Sequence, residues 1–240
     1  MPDSGGEEST NRGKRKVKLD DLEEHQDPLL VVGSEILTII LAKLDLRSLA
    51  EARLVSRGWN PVASSDRIWG SKCQELWLDK AHIPRVSTVE GLPKMIATLL
   101  SIRDGKRTRI TRDDLCDHVW EFRFTEMAPE YWRELDPSWR GEGAPPMRRY
   151  FHPDGSITAD PEDKVWGGHE ASYTIVTGLL ADGQVREHYV RINRWPKMMV
   201  KRHPDWSWEL RNHLYFYRSI PERHGPASTS SSISFSGGSS

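Results

Sequence analysis

The sequence predicts an α+β protein, in which a small all-α unit precedes an antiparallel β meander that forms a barrel or a curved sheet. Two observations lead to this fold class. Apolar residues recur at helical spacing from Val32 to Leu78, whereas they alternate with polar residues from Val119 to Ile220. Residues 79–118 lie between the two patterns, and we expect them to form a helical spacer.

The helical unit, residues 28–78, consists of several short amphipathic segments. In EILTIILAKL, the apolar residues at the spacing of one helix face are Ile36, Ile39, Ile40 and Leu44. Gly33 or Ser34 can cap the start of this helix. The segments DLRSLAEARLV and DRIWGSKCQELW repeat the pattern. So small a unit holds more apolar residues than it can bury, which suggests a surface for a partner.

The β region, residues 119–221, reads as about six to eight short strands joined by tight turns. WEFRFT places Trp120, Phe122 and Phe124 on one face of a strand. Hairpins are predicted over Asp182-Gly183 and over His203-Pro204-Asp205. Short turns between consecutive strands are typical of an antiparallel meander.

The composition narrows the class of protein. The chain has 240 residues and a net charge of −1, so no global basic field favours nucleic acid or an anionic membrane surface. Cys73 and Cys116 provide no disulfide framework, and we expect a reducing compartment, the cytoplasm or the nucleus. The pure apolar run 39–42 is too short for a membrane helix. The polar ends, 1–27 and 222–240, are expected to be disordered tails.

The helical region resembles the F-box, whose motif begins Leu-Pro-x-Glu-hydrophobic and here reads VGSEIL. The resemblance continues through IILAKLDLRSL and ends in VSRGWNPVASSDRIW. It covers roughly a fifth of the chain and depends on the joint spacing. The matching positions are Glu35, Ile36, Leu37, Ile40, Leu44, Leu49, Val55, Ser56, Arg57, Trp59, Ile68 and Trp69.

Two residues depart from the family pattern. Val32 stands where Leu is usual, and Gly33 stands where Pro is usual. Proline would preset the first helical turn, whereas glycine makes that turn costlier to order. We therefore expect a lower partner affinity than is typical of the family.

The resemblance implies a role as well as a fold. An F-box is a small helical unit that packs on a Skp-family adaptor, which docks on a cullin scaffold. The chain would then be a non-catalytic substrate receptor of a cullin-RING ubiquitin ligase, without a cofactor, whose β domain holds a target protein. The residues expected to bind the adaptor are Val32, Gly33, Glu35, Ile36, Leu37, Ile40, Leu44, Leu49 and Val55. The residues expected to shape the F-box fold are Leu54, Trp59, Ile68 and Trp69.

The segment EYWRELDPSWRGEGAPP is predicted to be a long loop, and long loops are often functional. Its aromatic residues Tyr131, Trp132 and Trp139 are the candidates for substrate binding. In the strands, by contrast, we interpret the tryptophans as core residues.

The sequence has no Gly-x-Ser-x-Gly elbow, Walker loop, Rossmann fingerprint, HExxH or CxxC, so neither a catalytic constellation nor a metal site is predicted. Two alternatives stay open. The β region could be a small-ligand-binding barrel, or an enzyme built on one, with helices that merely pack on it. The chain could also bind the adaptor without assembling a ligase.

Overall fold

The computed structural model describes residues 27–141, 146–161, 163, 165, 172–194 and 196–221. The predicted disordered tails, except for Asp27, lie outside these residues. The chain divides into two compact units between Ile68 and Trp69. The first unit is helical, and the second contains the sheet, so the predicted fold class is confirmed.

Helices occupy most of the described residues up to residue 116. The α-helices of the described residues are Pro28–Ala42 (α1), Leu46–Ala52 (α2), Trp59–Ala63 (α3), Asp66–Trp77 (α4), Lys94–Gly105 (α5), Arg112–Cys116 (α6) and Glu130–Arg133 (α7). Single 3-10 turns occupy Arg85–Ser87 and Pro137–Arg140. None of these helices is long and apolar enough to cross a membrane.

In the first unit, α1, α2 and α3 contact one another. Asp45 caps α2, because its Oδ1 accepts hydrogen bonds from the backbone N–H groups of Arg47 and Ser48 at 2.8 and 3.0 Å. The buried apolar residues of this unit are Leu37, Leu41, Leu49, Ala52, Ala63 and Ile68. Helices this short depend on such packing rather than on their own propensity.

The second unit contains one eight-stranded antiparallel sheet, curved into a half-barrel. Its strands are Val119–Phe124 (β1), Met147–Phe151 (β2), Ile157–Ala159 (β3), Tyr173–Leu179 (β4), Val185–Ile192 (β5), Lys197–Arg202 (β6), Trp208–Arg211 (β7) and Tyr215–Ile220 (β8). The spatial order is β3-β2-β1-β8-β7-β6-β5-β4. The hairpins predicted between β4 and β5 and between β6 and β7 are present.

The pairing of the first strand, β1, with the last strand, β8, joins two short meanders into one sheet. β1 pairs with β8 over its whole length, from Val119 opposite Ile220 to Phe124 opposite Tyr215. The strands at the two ends of the sheet are therefore β3 and β4, and an isolated bridge between Ser156 and Ser172 joins the residues that precede them. This pairing of distant segments could not be read from the local pattern.

Side chains fill the inner face of the sheet. Every strand contributes to one buried cluster, whose strand residues are Trp120, Phe122, Phe124, Met147, Phe151, Ile157, Tyr173, Val190, Ile192, Met198, Trp208, Leu210, Tyr215 and Tyr217. The rings of Phe122 and Tyr217 lie 5.2 Å apart, and those of Phe151 and Tyr173 also lie 5.2 Å apart, which is ordinary aromatic packing. A ligand-binding barrel needs an open interior, and this cluster occupies it instead.

The predicted spacer, residues 79–118, belongs to the same compact unit as the sheet. Nη2 of Arg202 on β6 donates to Asp104 of α5 at 2.9 Å, and a ring nitrogen of His82 lies 2.8 Å from Oγ of Ser219 on β8. The backbone N–H of Ala81 donates to the carbonyl of Asp205 at 2.7 Å. The boundary predicted between residues 118 and 119 therefore does not separate two packing units.

Candidate functional site

Helix α1 begins at Pro28, before the start that the sequence pattern predicted. Asp27 is its N-cap, since Oδ1 accepts a hydrogen bond from the N–H of Leu29 at 2.9 Å. The same oxygen accepts from Nε1 of Trp59 at 2.7 Å, so the cap also ties α3 to the start of α1. Both hydrogen bonds favour the charged carboxylate, with the bond from Trp59 the larger, and they lower the pKa of Asp27.

Gly33 interrupts α1 with φ 75° and ψ 166°, a conformation essentially restricted to glycine. The helix is kinked there, and a new helical segment starts at Ser34 with Gly33 at its cap position. Proline cannot adopt a positive φ. The kink therefore requires the glycine that stands where proline is usual, and the residues of α1 that precede the motif are Pro28 to Val31.

After the kink, α1 exposes an apolar face. Ile36, Ile39 and Ile40 are 50%, 53% and 50% exposed, and their i, i+3 and i+4 spacing places them on one side of the helix. Further exposed apolar residues in this unit are Leu30, Val31, Val32, Leu54 and Val55. We name the face formed by Ile36, Ile39 and Ile40 the isoleucine face.

The structure separates the predicted adaptor-binding residues into two groups. Ile36 and Ile40 belong to the isoleucine face, and Val32, Gly33, Glu35 and Val55 are also exposed. Leu44 is half-buried. Leu37 and Leu49 are buried, at 1% and 0% exposure, so neither side chain is open to a partner and the prediction of direct contact is wrong for both. They lie on the sides of α1 and α2 that pack within the protein.

Glu35 takes part in an ion pair at this surface. Its Oε2 lies 3.1 Å from Nη1 of Arg67, and both side chains are largely exposed. Such exposed pairs contribute little to stability, at most about 1 kcal/mol. The pair therefore leaves Glu35 available for a partner.

The residues predicted to shape the fold behave differently from one another. Ile68 and Trp69 are buried, and Trp59 is half-buried and hydrogen-bonded to Asp27. Leu54, however, is 84% exposed, so it does not pack in the unit as predicted. It lies in the turn that follows the end of α2.

The predicted substrate-binding aromatics lie on α7 and the 3-10 turn after it, rather than on an unstructured loop. Tyr131 and Trp139 are exposed, while Trp132 packs against the core of the sheet. The guanidinium of Arg133 lies 5.1 Å from the centre of the Trp139 ring. Trp132 is thus partly a core residue, and binding by Tyr131 and Trp139 stays a prediction.

Sequence reasoning missed part of the exposed surface. Ile39 was seen in the helical stripe but not among the candidate site residues, although its spacing from Ile36 and Ile40 places it on their face. Leu30 and Val31 precede the motif, and they were not candidates because the pattern did not predict that α1 begins at Pro28. Both are exposed residues of that helix. Among the described residues, no group of three or more His, Cys, Asp or Glu side chains is arranged to hold a metal ion.

Comparison with known protein families gives one match. Residues 34–75 match the model of the F-box-like family, which covers α1 after the kink, α2, α3 and most of α4. No curated protein matches the chain. The chain therefore carries an F-box-like domain, a type of domain that generally binds Skp-family adaptors.

Proposed function

We propose that this F-box protein docks a Skp-family adaptor on its isoleucine face and presents a target protein, held by the second unit, to a cullin-RING ubiquitin ligase. The observation that carries this proposal is the half-exposed Ile36, Ile39 and Ile40 within the family match at residues 34–75. F-box domains are typically non-catalytic, and the proposed role requires no chemistry from this chain.

Burial of exposed apolar area would drive the docking. A fully exposed isoleucine gains about 1.5–3 kcal/mol on complete burial, so a half-exposed one can gain roughly 1 kcal/mol. Three such residues on one helix face, with Leu54 and Val55 also exposed, offer a partner several kcal/mol before the costs of association. An amphipathic helix that presents i, i+3 and i+4 anchors is a common mode of recognition.

The rate advantage of the proposed complex comes from proximity. A receptor that holds the target beside the ubiquitin-charged enzyme makes the transfer effectively intramolecular, and effective concentration replaces catalysis. A flexible connection would lower this effective concentration. Within the second unit, the contacts of Asp104, His82 and Ala81 with the sheet support a stiff spacer.

The direct test is adaptor binding by the purified full chain, measured by calorimetry. The double variant Ile36→Ala/Ile40→Ala should weaken binding of the Skp-family adaptor at least about tenfold, which equals 1.4 kcal/mol. Leu180→Ala is the matched control, because Leu180 is exposed to a similar degree but lies in the sheet unit. Equal affinity of the double variant and the wild type, with unchanged melting curves, would contradict the proposal.

A second assay separates adaptor binding from ligase assembly. The chain, the adaptor, a cullin and its RING partner are mixed and analysed by size-exclusion chromatography. We expect one complex that contains all four proteins. A complex of chain and adaptor that excludes the cullin would identify an F-box protein that assembles no ligase.

A further inference from the structure

The segment that follows β1 presents large apolar side chains to solvent. Four of them are between 44% and 74% exposed, namely Met127, Tyr131, Leu135 and Trp139. Tyr131 lies in α7, Leu135 lies in the helical turn that continues it, and Trp139 lies in the 3-10 turn that comes next. We name the surface formed by these four residues the α7 surface. Apolar side chains of this size, left in water within one short segment, are typical of a site for a partner.

The backbone beneath the α7 surface is fixed to the sheet. Trp132 packs against the core of the sheet, and its ring centre lies 6.0 Å from that of Phe124 on β1. Asp136 is buried, and its carboxylate accepts hydrogen bonds from the backbone N–H groups of Phe124 at 3.3 Å and of Ser138 at 2.9 Å. The α7 surface is therefore organised before a partner arrives, so binding has to order few further groups of this chain.

Acidic residues lie beside the apolar residues of this surface. Glu130 and Glu134 are exposed and four residues apart, so they occupy one side of the helical turns. Tyr131 and Leu135 have the same spacing and occupy the adjacent side. Glu126 is a third exposed acidic residue, in the turn that precedes α7. Like charges four residues apart on a helix repel each other, and a cation bound between them would relieve that repulsion.

The basic residues of this segment do not cancel its acidic residues. Residues 126–140 contain four acidic residues and two basic ones, Arg133 and Arg140. The guanidinium of Arg133 lies 5.1 Å from the centre of the Trp139 ring, which places its charge beside that tryptophan. The α7 surface thus combines exposed apolar side chains with a negative net charge. A partner of opposite charge that also carries apolar side chains is complementary to it.

We propose that the α7 surface docks a basic amphipathic helix of the target protein, whose apolar side chains pack on Tyr131 and Leu135. Lys or Arg side chains of the same helix pair with Glu130 and Glu134. The inference rests on the proposed function, since it assigns the class of target segment to the second unit. A helix fits because its own residues at i and i+4 repeat at the spacing of the two rows on this surface. A phosphorylated peptide or an anionic membrane does not fit, because the acidic residues would repel it.

The test measures the binding of three acetylated and amidated peptides to the full chain, by NMR chemical shifts of the labelled protein. The first peptide has three Lys-Leu-Ala-Ala repeats, which place its lysines and its leucines on adjacent sides of a helix. In the second peptide glutamate replaces each lysine, and in the third peptide alanine replaces each leucine. We expect the first peptide to bind at least about tenfold more tightly than either of the others.

Three variants of the full chain locate this binding on the α7 surface. Tyr131→Ser/Leu135→Ser should weaken the first peptide at least about tenfold and leave the melting curve intact, because both side chains are exposed. Leu180→Ser, at an exposed residue that follows β4, is the matched control with unchanged affinity. Glu130→Lys/Glu134→Lys should reverse the preference, so that the glutamate peptide binds more tightly than the lysine peptide. A variant that had merely lost its fold would bind neither peptide.

Several results would overturn the docking of a target helix. These are no binding of the first peptide at millimolar concentration, equal affinity for either of the other peptides, and an unchanged preference in the charge-reversal variant. A dimer of the chain that Tyr131→Ser/Leu135→Ser dissociates would assign the surface to a second copy instead. Tighter binding of the first peptide by Lys14→Gln/Arg15→Gln/Lys16→Gln would assign it to the chain's own basic segment.

The adaptor assay is independent of these measurements, because the isoleucine face and the α7 surface belong to different units of the chain. Absence of adaptor binding, together with binding of the first peptide, would refute the ligase proposal alone. Adaptor binding without peptide binding would refute the docking of a target helix alone.

Discussion

The indole ring of Trp206 lies directly against the backbone of Gly105. A Cβ atom added at Gly105 would fall 2.6 Å from Cε2 of Trp206 and 2.9 Å from Cδ1. Trp206 is itself held in a left-handed conformation, with φ 63°, in the turn between β6 and β7. The end of α5 and this turn therefore fit each other without room for one further methyl group.

This fit predicts opposite effects for two glycine-to-alanine changes in helices. Gly105→Ala should destabilise the chain by about 1–3 kcal/mol, because the ring of a buried tryptophan must move. Gly70 lies in α4, and a Cβ atom added there would be 3.9 Å from its nearest neighbour, Cγ of Lys94, so Gly70→Ala meets no close contact. It should stabilise the chain by up to about 1 kcal/mol through helix propensity. Urea denaturation measures both, and equal effects would contradict the close contact.

A second prediction concerns the kink in α1. Gly33→Ala should cost about 1–3 kcal/mol although no atom lies within 4 Å of the added Cβ, since the cost arises from the backbone conformation. Gly33→Pro should cost more, because proline excludes a positive φ altogether. Thermal melting monitored by helical circular dichroism tests this order. A stabilising Gly33→Pro change would show that the helix starts at Ser34 without the kink.

A third prediction separates the two sides of α1. Leu37→Ala removes a buried side chain and should cost about 2–5 kcal/mol, with loss of helical signal in urea. Ile39→Ala, on the isoleucine face, should cost less than about 1 kcal/mol. Unfolding of the two variants at the same urea concentration would contradict the assignment of Leu37 to the packed side of α1 and of Ile39 to its exposed side.

A fourth prediction follows from the depressed pKa of His82. The unfolded chain takes up the proton near pH 6.5 and the folded chain only near pH 3, so the unfolded state binds more protons between these values. The free energy of unfolding should therefore fall as the pH drops through this window, by up to about 1.4 kcal/mol per pH unit. His82→Gln should flatten this dependence. Urea denaturation at a series of pH values measures both slopes, and equal slopes for His82→Gln and the wild type would contradict the prediction.

A fifth prediction concerns the smallest fragment that folds. Residues 69–221 should give a β-type circular dichroism spectrum and a cooperative melt. Residues 110–222 should not, because that fragment loses the partners of Arg202 and Ser219 and the glycine that covers Trp206. A cooperative melt of the shorter fragment would show that the spacer is dispensable for the sheet.

The local pattern predicted the elements well where one face of an element is buried. The alternation of Trp120, Phe122 and Phe124 identified β1, and turn residues identified the β4–β5 and β6–β7 hairpins. The resemblance to the F-box assigned Leu37 and Ile36 to one docking surface. Neighbouring apolar residues on a helix point in different directions, so spacing alone cannot tell which of the two the packing will cover.

By itself, the sequence determined the α+β order, the F-box-like motif and the residue types that each strand buries, since these depend on local periodicity and on the joint spacing of motif positions. The tertiary structure decided the pairing of β1 with β8, the exposure of Ile36 beside a buried Leu37, and the largely buried ion pair between Arg202 and Asp104. Each of these depends on contacts between residues far apart in the chain, and such contacts are fixed only when the whole chain packs.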